Sequence, residues 1–519
     1  MLEALLKSPR TEQMDKPPRE IELKFELPAD RVAEIAGKIP ALAKSEPEPL
    51  TSVYFDTQKR ALKRAGLTLR VRAQNGGFVQ TLKQSGDDGL ERGEWESKLE
   101  GPTPAPDLLR ATPAARALAK GGPLAPQFII ETRRRSAEMR EGDACVEISL
   151  DAAEARAGGK SAPFAELELE LKSGSRGGLL ALARRLAPAG DLTLSFTSKA
   201  ERGFALARPP RLRARKFAPP RLDPAMTTAA AFQAVARACL RQIVANAEAL
   251  RHRPSPEVIH QLRVGLRRLR SLITTFKDLV SDGRLPALKA ELEWLTGELD
   301  AARNLDVLLH GGYRAALSDK QAADGLKGLG SRLRDARRIA YARAASACEG
   351  ERCRRLLLDL LVWIEEGAWA SRAGAAKLLG QPITQFARKA LSNRRRKIVQ
   401  RGKDIARLDA TQRHKLRIDA KKLRYAADVF VPLYGRPKRA RRFIGALKAV
   451  QDELGELNDI VVGESVAHDA ATHAGLAGAE AAYAAGRITG ARRASTESLI
   501  ARAQASLDGL RKTRPFWPD

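Results

Sequence analysis

The pattern of apolar residues changes once along this chain of 519 residues, close to residue 210. Before that point, short segments alternate between apolar and polar residues, a pattern that predicts β-strands. After residue 227, long segments rich in Ala, Leu and Arg place apolar residues every three or four positions, which predicts bundled helices. A chain of this length also exceeds what one hydrophobic core holds together. The sequence therefore predicts a multidomain protein, with an α+β domain followed by an all-α domain.

The predicted boundaries follow these patterns and the turn residues between them. Strands are expected at residues 20–27, 53–56, 67–73, 77–84, 93–99, 128–135, 144–150 and 164–172. Short helices are expected at residues 31–38, 107–119 and 175–186. The domains are expected at residues 1–18 (an N-terminal tail), 19–205 (the strand-rich domain), 206–224 (a Pro-rich, basic linker) and 225–519 (the helical domain).

The net charge of +29 is concentrated in the helical part of the chain. Residues 1–210 contain 33 basic and 30 acidic residues, whereas residues 211–519 contain 58 and 32. An excess of that size attracts polyanions. The 4 cysteines and 6 histidines show no metal-ligand spacing, which argues against a zinc enzyme. No segment has the roughly 18 consecutive apolar residues that a membrane helix needs, and we expect a cytoplasmic protein.

The helical part contains an internal repeat. Residues 260–270 (HQLRVGLRRLR) match residues 414–424 (HKLRIDAKKLR) without a gap. A second match, around Asp306 and Asp459, follows each copy at a similar distance. Because such self-similarity marks duplicated structural units, the sequence predicts two pseudo-symmetric four-helix bundles, within residues 225–375 and 376–515.

Charged residues recur at two-residue spacing on most of the predicted strands. Glu20, Glu22 and Lys24 share one face of the first strand, and their apolar neighbours share the other. One such strand is an ordinary wet face of a sheet, but the recurrence favours a closed barrel that gathers these faces in its lumen. Arg and Lys bind phosphate oxygens, and carboxylates hold Mg²⁺ or Mn²⁺. Together these groups indicate metal-assisted phosphoryl transfer.

Seven motifs give residues 19–205 a resemblance to the CYTH, or triphosphate tunnel metalloenzyme, superfamily. They are Glu20-Ile-Glu22-Leu-Lys24, Tyr54-Phe-Asp56-Thr57, Leu69-Arg70-Val-Arg72, Thr81-Leu-Lys83, Arg92-Gly-Glu94-Trp-Glu96, Glu166-Leu-Glu168-Leu-Glu170-Leu-Lys172 and Ser198-Lys199-Ala-Glu201-Arg202-Gly203. Three segments, at residues 94–96 (EWE), 170–174 (ELKSG) and 198–203 (SKAERG), are most similar to the bacterial inorganic triphosphatase branch. The resemblance implies an eight-stranded antiparallel tunnel that binds a linear triphosphate and two divalent metal ions.

The resemblance also implies a role for each motif residue. The expected metal ligands are Glu20, Glu22, Glu168 and Glu170, and Glu94 and Glu96 complete the acidic side. With Lys24, these six glutamates form the expected catalytic group. The expected triphosphate path is lined by Lys24, Arg70, Arg72, Lys83, Arg133, Arg135, Lys199 and Arg202. The family often has Asp-x-Gly where this chain has residues 151–153 (DAA), so Asp151 is left out of the expected site.

The repeated segments of the helical part each place basic residues along one helix face. On an ideal helix His260, Arg263, Arg267 and Arg270 fall within an arc of about 80°. The second copy places His414, Arg417, Lys421 and Arg424 at the same offsets, and Arg268 and Lys422 are further basic matches. A basic stripe is often only a solvated face, but two matching copies favour a bound polyanion. Since aromatic residues make up 5% of the chain, phosphate recognition is favoured over base stacking.

Residues 225–515 resemble the CHAD domain through these stripes and through the segments 303–306 and 457–459. The resemblance implies two four-helix bundles that bind inorganic polyphosphate along a basic surface. Asn304 stands where the family commonly has Asp. Association with polyphosphate granules would follow from such binding.

The combined expectation is a triphosphatase that hydrolyses tripolyphosphate to pyrophosphate and phosphate with Mg²⁺ or Mn²⁺, joined to a polyphosphate-binding domain. Two alternatives stay open. The tunnel could act on an organic triphosphate, as an adenylate cyclase or a thiamine triphosphatase does. The chain could also be a non-catalytic scaffold for polyphosphate, or for nucleic acid bound as a non-specific polyanion.

Overall fold

The computed structural model describes residues 19–74, 76–84, 91–119, 121–207, 214–314, 329–372, 374–473 and 496–518. The chain divides into two compact units, Met1–Pro210 and Arg211–Asp519. No helix in these ranges is both long and apolar enough to cross a membrane. The limits of the predicted tail, linker and repeats stay predictions.

The N-terminal unit is built on an antiparallel sheet. Its strands are β1 (Arg19–Leu27), β2 (Glu48–Thr57), β3 (Leu67–Gln74), β4 (Gly77–Gln84), β5 (Glu91–Leu99), β6 (Leu124–Glu141), β7 (Ala144–Ala157), β8 (Lys160–Ser173) and β9 (Thr193–Leu194). The order is β5-β4-β3-β2-β6-β7-β8-β1-β9, and a further pairing of β1 with β5 joins the ends of the eight longer strands. The eight predicted strands are confirmed, β2 and β6 to β8 are longer than predicted, and β9 is an addition of two residues.

Cross-strand register places the charged residues of neighbouring strands on the same face. Lys24 of β1 lies opposite Glu168 of β8, and Glu26 lies opposite Glu166. Glu166 in turn lies opposite Asp151 of β7, which lies opposite Arg134 of β6. Directly opposed residues point to the same side of a sheet. We call this side the charged face.

Short helices surround this sheet: α1 (Val32–Lys38), α2 (Pro40–Ala43), α3 (Ala61–Arg64), α4 (Ala114–Leu118), α5 (Arg176–Leu186) and α6 (Lys199–Ala207). Helix α6 packs on an apolar stretch of the charged face, where Phe204 joins a cluster with Tyr54 and Phe128. The rings of Tyr54 and Phe128 stack with their centroids 4.6 Å apart. A Cβ atom at Gly203 would lie 2.1 Å from the Phe128 ring, so glycine is needed for this close approach.

The C-terminal unit is helical, as predicted. Its helices are α7 (Thr228–His252), α8 (Pro256–Thr275), α9 (Lys277–Val280), α10 (Leu285–Glu298), α11 (Asp300–Val307), α12 (Leu329–Glu349), α13 (Glu351–Glu366), α14 (Ala376–Gly380), α15 (Ile383–Arg401), α16 (Ala410–Phe430), α17 (Pro437–His473) and α18 (Thr496–Lys512). The repeated segments lie on α8 and α16, which pack against each other. Ser255 caps α8 and Asp409 caps α16, and these caps have the same spacing as His260 and His414.

Part of the Pro-rich segment packs on the helices of this unit. Ala214 and Leu222 are buried. The backbone N–H of Arg215 donates to the Asn246 side chain at 3.0 Å, and the Asn246 amide donates back to the Arg215 carbonyl at 2.9 Å. These bonds satisfy the backbone groups of a segment that has no regular structure of its own.

Candidate functional site

The centre of the charged face holds three carboxylates and three cations, which we call the inner cluster: Asp151, Glu166, Glu168, Lys24, Arg134 and Lys199. The Lys199 ammonium lies 2.8 Å from Asp151, 3.0 Å from Glu168 and in contact with Glu166. Lys24 lies 2.8 Å from Glu168. Arg134 reaches Asp151 at 2.6 Å and Glu168 at 2.8 Å. The opposite charges are equal in number, so the cluster is neutral when all its members are ionised.

Burial and charge act in opposite directions on the inner cluster. Burial alone would raise the pKa of Asp151 and of Glu168, but the cations around them, above all Lys199, outweigh it and lower the pKa of both carboxyls. Burial would lower the pKa of Lys24 and Lys199, but the facing carboxylates raise the pKa of both ammonium groups instead. All four groups are therefore charged at neutral pH.

A second group of charges, the outer cluster, consists of Glu20, Lys83, Glu94 and Arg70. The Lys83 ammonium lies 2.8 Å from Glu20 and 3.2 Å from Glu94, and Arg70 lies 4.0 Å from Glu94. Burial, with a contribution from Glu20, raises the pKa of Glu94 to about 7 despite the Lys83 charge. The two carboxylates of this cluster face two cations, and Arg70 lies farther from Glu94 than Lys83 does.

Two further predicted residues lie near these clusters on β3 and β5. The Arg72 guanidinium donates from Nε to the Ser52 hydroxyl at 3.3 Å. Burial, together with the charges of Arg70 and Arg134, lowers the pKa of Arg72 to about 10. Glu96 is more exposed and accepts a hydrogen bond from the Thr81 hydroxyl at 3.0 Å. The three arginines thus concentrate positive charge in one part of the charged face.

Glu22, Glu170 and Arg202 mark the edges of this arrangement. Glu22 is buried 3.4 Å from Lys24 and lies opposite Glu170 in the register of β1 and β8. Glu170 is held by Lys172 at 2.7 Å. Arg202 lies 3.5 Å from Glu26, and its guanidinium stacks over the Phe164 ring.

The prediction of Arg133 and Arg135 for the charged face is wrong. Arg133 is exposed, and Arg135 turns away to donate to the Ser45 carbonyl. The residue between them, Arg134, occupies the inner cluster, because it lies opposite Asp151. The sequence reasoning missed Arg134 and set Asp151 aside, although three successive arginines guarantee that at least one points to each face of the strand.

The residues of the inner cluster fit a hard divalent cation. Asp151, Glu166 and Glu168 each offer a carboxylate oxygen, and these atoms lie within 4.8 Å of one another. Oxygen donors of this kind are the ligands that Mg²⁺ and Mn²⁺ prefer. One oxygen of Glu166, Oε2, is buried and has no hydrogen-bond partner among the described residues. A buried anionic oxygen without a partner is costly, so a cation at this point would satisfy it.

On helix α8 the predicted basic stripe is partly neutralised by carboxylates. Arg263 contacts Asp300, and Arg270 lies 2.6 Å from Glu293. Burial and the nearby charges of Arg303, Arg267 and Arg263 lower the pKa of His260, although Glu257 opposes this shift. Arg267 is exposed. The stripe therefore carries a neutral histidine between arginines at neutral pH.

Arginines of both repeats meet where α8, α15 and α16 pack. Arg268 lies 3.6 Å from Asp428 and is stacked between the rings of Phe217 and Tyr425. Arg394 of α15 donates to the Thr275 hydroxyl at 3.0 Å, and the Arg424 guanidinium lies over the Tyr425 ring, 5.7 Å from its centroid. The Nε atoms of Arg268, Arg394 and Arg424 are buried without a hydrogen-bond partner among the described residues. Sequence reasoning missed Arg394, which lies in the run Arg394–Arg395–Arg396 of a helix without the repeat motif.

The other predicted residues of the second stripe lie along α16. His414 is exposed, and Arg417, Lys421 and Lys422 are partly exposed. Asp306, the acidic residue of the first repeat, is buried and accepts hydrogen bonds from Arg337 and Tyr341, both at 2.7 Å. It therefore joins α11 to α12. The side chain of Asp459, its counterpart, lies outside the described residues.

Comparison with known proteins finds two matching family models. Residues 18–204 match the CYTH domain, and residues 234–468 match the CHAD domain. Among solved structures, the CHAD domain of the plant Ricinus communis is 32% identical to this chain. The match covers 59% of this chain and 98% of the Ricinus domain (TM-score 0.49).

Two further structures match the N-terminal part. A candidate adenylate cyclase from Bacillus halodurans is 21% identical over 36% of this chain and 97% of its own (TM-score 0.27). A candidate adenylyl cyclase from Hippeastrum, described as having a dominant triphosphatase activity, is 20% identical over 36% of this chain and 94% of its own (TM-score 0.27).

Proposed function

The chain belongs to the CYTH and CHAD families, as a fusion of one domain of each, and on this premise we propose that it is an inorganic triphosphatase with a polyphosphate-binding domain. CYTH enzymes act on triphosphates and depend on a metal ion. The proposal adds the substrate, tripolyphosphate, the metal, Mg²⁺ or Mn²⁺, and the ligand of the helical unit. Hydrolysis would yield pyrophosphate and phosphate.

The observation that carries the enzymatic proposal is the interleaving of acids and bases on the charged face. Lys83 touches both Glu20 and Glu94, and Lys24 touches Glu168. Arg70 has a buried Nε without a hydrogen-bond partner among the described residues. A linear triphosphate offers many anionic oxygens to such donors. This arrangement supports an anion held by lysines and arginines beside carboxylates that hold a metal ion.

The residues divide into two roles in this proposal. Lys24, Lys83 and Lys199 act as point charges on phosphate oxygens, and Arg70, Arg72 and Arg134 act as forked donors. They hold the triphosphate in line for attack and balance the charge of the transition state. The proposed metal ligands are Glu20 of the outer cluster, Glu168 of the inner cluster, and Glu22 and Glu170, which lie opposite each other on β1 and β8. A bound Mg²⁺ or Mn²⁺ supplies Lewis acidity and lowers the pKa of a coordinated water.

Three partly buried arginines support polyphosphate binding by the helical unit. Arg268, Arg394 and Arg424 each have an Nε without a hydrogen-bond partner among the described residues. Their region carries the excess positive charge of the chain. A phosphate chain would satisfy these donors and offset the repulsion among the arginines. The exposed members of the stripes, such as Arg267 and His414, would extend the same surface.

Phosphate release from a panel of substrates tests the enzymatic proposal. The panel contains tripolyphosphate, ATP, thiamine triphosphate and long-chain polyphosphate, each with Mg²⁺, Mn²⁺ or EDTA. We expect metal-dependent release with a preference for tripolyphosphate. Conversion of ATP to cyclic AMP and pyrophosphate, without release of phosphate, would identify a cyclase. Phosphate release with a preference for thiamine triphosphate would identify the organic triphosphatase. Binding without turnover of any substrate would favour the scaffold.

A further inference from the structure

The carboxylates of the inner cluster already surround a cation, which belongs to the protein. The Lys199 ammonium contacts Asp151, Glu166 and Glu168 together, at 2.8 Å and 3.0 Å from the first and last. Lys199 stands in the first turn of α6 and is buried, with its side chain 9% exposed. The same three residues bring carboxylate oxygens within 4.8 Å of one another. The ammonium thus occupies the position that a cation shared by all three would take.

A lysine satisfies this group of carboxylates only in part. Glu166 is fully buried, and its Oε2 atom has no hydrogen-bond partner among the described residues. An ammonium donates three hydrogen bonds, and Lys199 directs its contacts to one oxygen on each carboxylate. A divalent cation accepts six or more oxygen ligands. The unpartnered Oε2 atom of Glu166 therefore indicates a cation that accepts more oxygen ligands than Lys199 can contact.

The charge balance of the cluster decides which cation it holds. Lys24, Arg134 and Lys199 balance the charge of the three carboxylates. A divalent ion would therefore add two uncompensated positive charges to a buried site. That addition is unfavourable. If an anion draws Lys199 away, the cluster carries a net negative charge and the ion becomes favourable. The partner of Lys199 therefore controls the affinity of the carboxylates for metal.

We propose that Lys199 fills a divalent-cation site formed by Asp151, Glu166 and Glu168, and that the site opens when a triphosphate oxygen takes the Lys199 ammonium. This inference rests on the proposed triphosphate ligand and assigns an order to binding: the triphosphate enters before this metal ion. Lys199 then excludes metal from this one site while the tunnel is empty, and it holds phosphate when the tunnel is filled. By linkage, metal at this site in turn strengthens triphosphate binding.

Manganese binding to the full chain tests the inference, with electron paramagnetic resonance of free Mn²⁺ as the readout. Lys199→Met removes the resident cation and keeps the length of the side chain. Without any triphosphate, this variant should bind one more Mn²⁺ per chain than the unaltered protein, and Mn²⁺ should raise its melting temperature more. Lys172→Met is the matched control, because Lys172 also bridges two glutamates, Glu147 and Glu170, but at a half-exposed position. It should not gain an ion.

A second variant keeps the test decisive if Lys199→Met does not fold. Glu166→Gln should leave Mn²⁺ binding unchanged in the absence of triphosphate, where Lys199 closes the site. With the non-hydrolysable analogue imidotriphosphate present, it should lose at least about 10-fold in affinity for one Mn²⁺, since the loss of a direct ligand costs no less than the loss of a residue that only orients one. Equal weakening in both states, or in neither, would overturn the inference, as would a folded Lys199→Met variant that gains no ion.

These readouts separate the inference from the proposed function, because none depends on turnover. Extra Mn²⁺ on Lys199→Met without hydrolysis of tripolyphosphate by the unaltered protein would keep the cation site and reject the triphosphatase. Hydrolysis by the unaltered protein with no extra Mn²⁺ on the folded variant would keep the triphosphatase and reject the cation site.

Discussion

The Nη2 atom of Arg134 lies 2.6 Å from Oδ2 of Asp151, across the pairing of β6 with β7. A second bond, from Nε to Oδ1, is 2.8 Å long, so the pair is bidentate. Asp151 is fully buried. The pair anchors the inner cluster, because the same guanidinium also reaches Glu168 at 2.8 Å.

Removing one partner of this pair should destabilise the protein. Arg134→Met leaves Asp151 buried with Lys199 as its remaining cation, and breaking a buried ion pair in this way costs about 3–5 kcal/mol. We expect a lower melting temperature for the transition of the N-terminal unit and a loss of triphosphatase activity. Arg133→Met is the control, since that side chain is exposed, and it should change neither quantity. Equal effects of the two variants would contradict the placement of Arg134.

Enlarging Gly203 should displace α6 and with it Lys199. A Cβ atom there would lie 2.1 Å from Phe128, and overpacking of this kind costs about 1–3 kcal/mol. We expect Gly203→Ala to lower both the melting temperature and the rate of tripolyphosphate hydrolysis. Gly203→Ala combined with Phe128→Leu should recover part of both, because the smaller side chain relieves the contact. Failure of the second change to recover either would refute the steric explanation.

Polyphosphate binding by the helical unit should depend on Arg394, which the repeat motif does not contain. Arg394→Met removes a guanidinium whose Nε is buried without a partner among the described residues, and the affinity for long-chain polyphosphate should fall severalfold. Arg355→Met is the control, because Arg355 is exposed beside Asp359 on α13. Fluorescence anisotropy of labelled polyphosphate at fixed salt measures both. An affinity that falls equally in the control would indicate only a general effect of charge.

The affinity for polyphosphate should also rise as the pH falls below 7. Burial and the charges of Arg303, Arg267 and Arg263, only partly opposed by Glu257, lower the pKa of His260, so it is neutral at pH 7. A bound polyanion offsets those charges and raises this pKa, so binding takes up a proton and is favoured at lower pH. His260→Gln should reduce the pH dependence, whereas His310→Gln should not. An unchanged profile in His260→Gln would show that another group is responsible.

Much of the fold could be predicted from the sequence, because the apolar periodicities of the two parts differ and each chain segment shows one of them clearly. The caps Ser255 and Asp409 preserve the spacing of the repeat, which explains why a match of sequence segments indicated matching helices. Lys24 and Glu168 could be placed on one face because each lies on a strand in which charged and apolar residues alternate.

Which residues of β6 point to the charged face could not be predicted in the same way. Phe128 and Ile130 are apolar and lie on the same side as Arg134, since α6 covers that end of the charged face. A rule that separates apolar from charged faces therefore assigns β6 the wrong side and selects Arg133 and Arg135. The pairing of Arg134 with Asp151 determines which β6 residues lie on the charged face. That pairing depends on the neighbouring strand β7 as well as on β6.

The most direct test of the central proposal compares phosphate release from tripolyphosphate by the unaltered protein and by Glu20→Gln/Glu22→Gln, each with Mn²⁺ and with EDTA. We predict release by the unaltered protein with Mn²⁺, and loss of that activity in EDTA and in the double variant, with circular dichroism unchanged. Metal-dependent release that persists in the folded double variant, or no release by the unaltered protein with either Mg²⁺ or Mn²⁺, would contradict a triphosphatase site on the charged face.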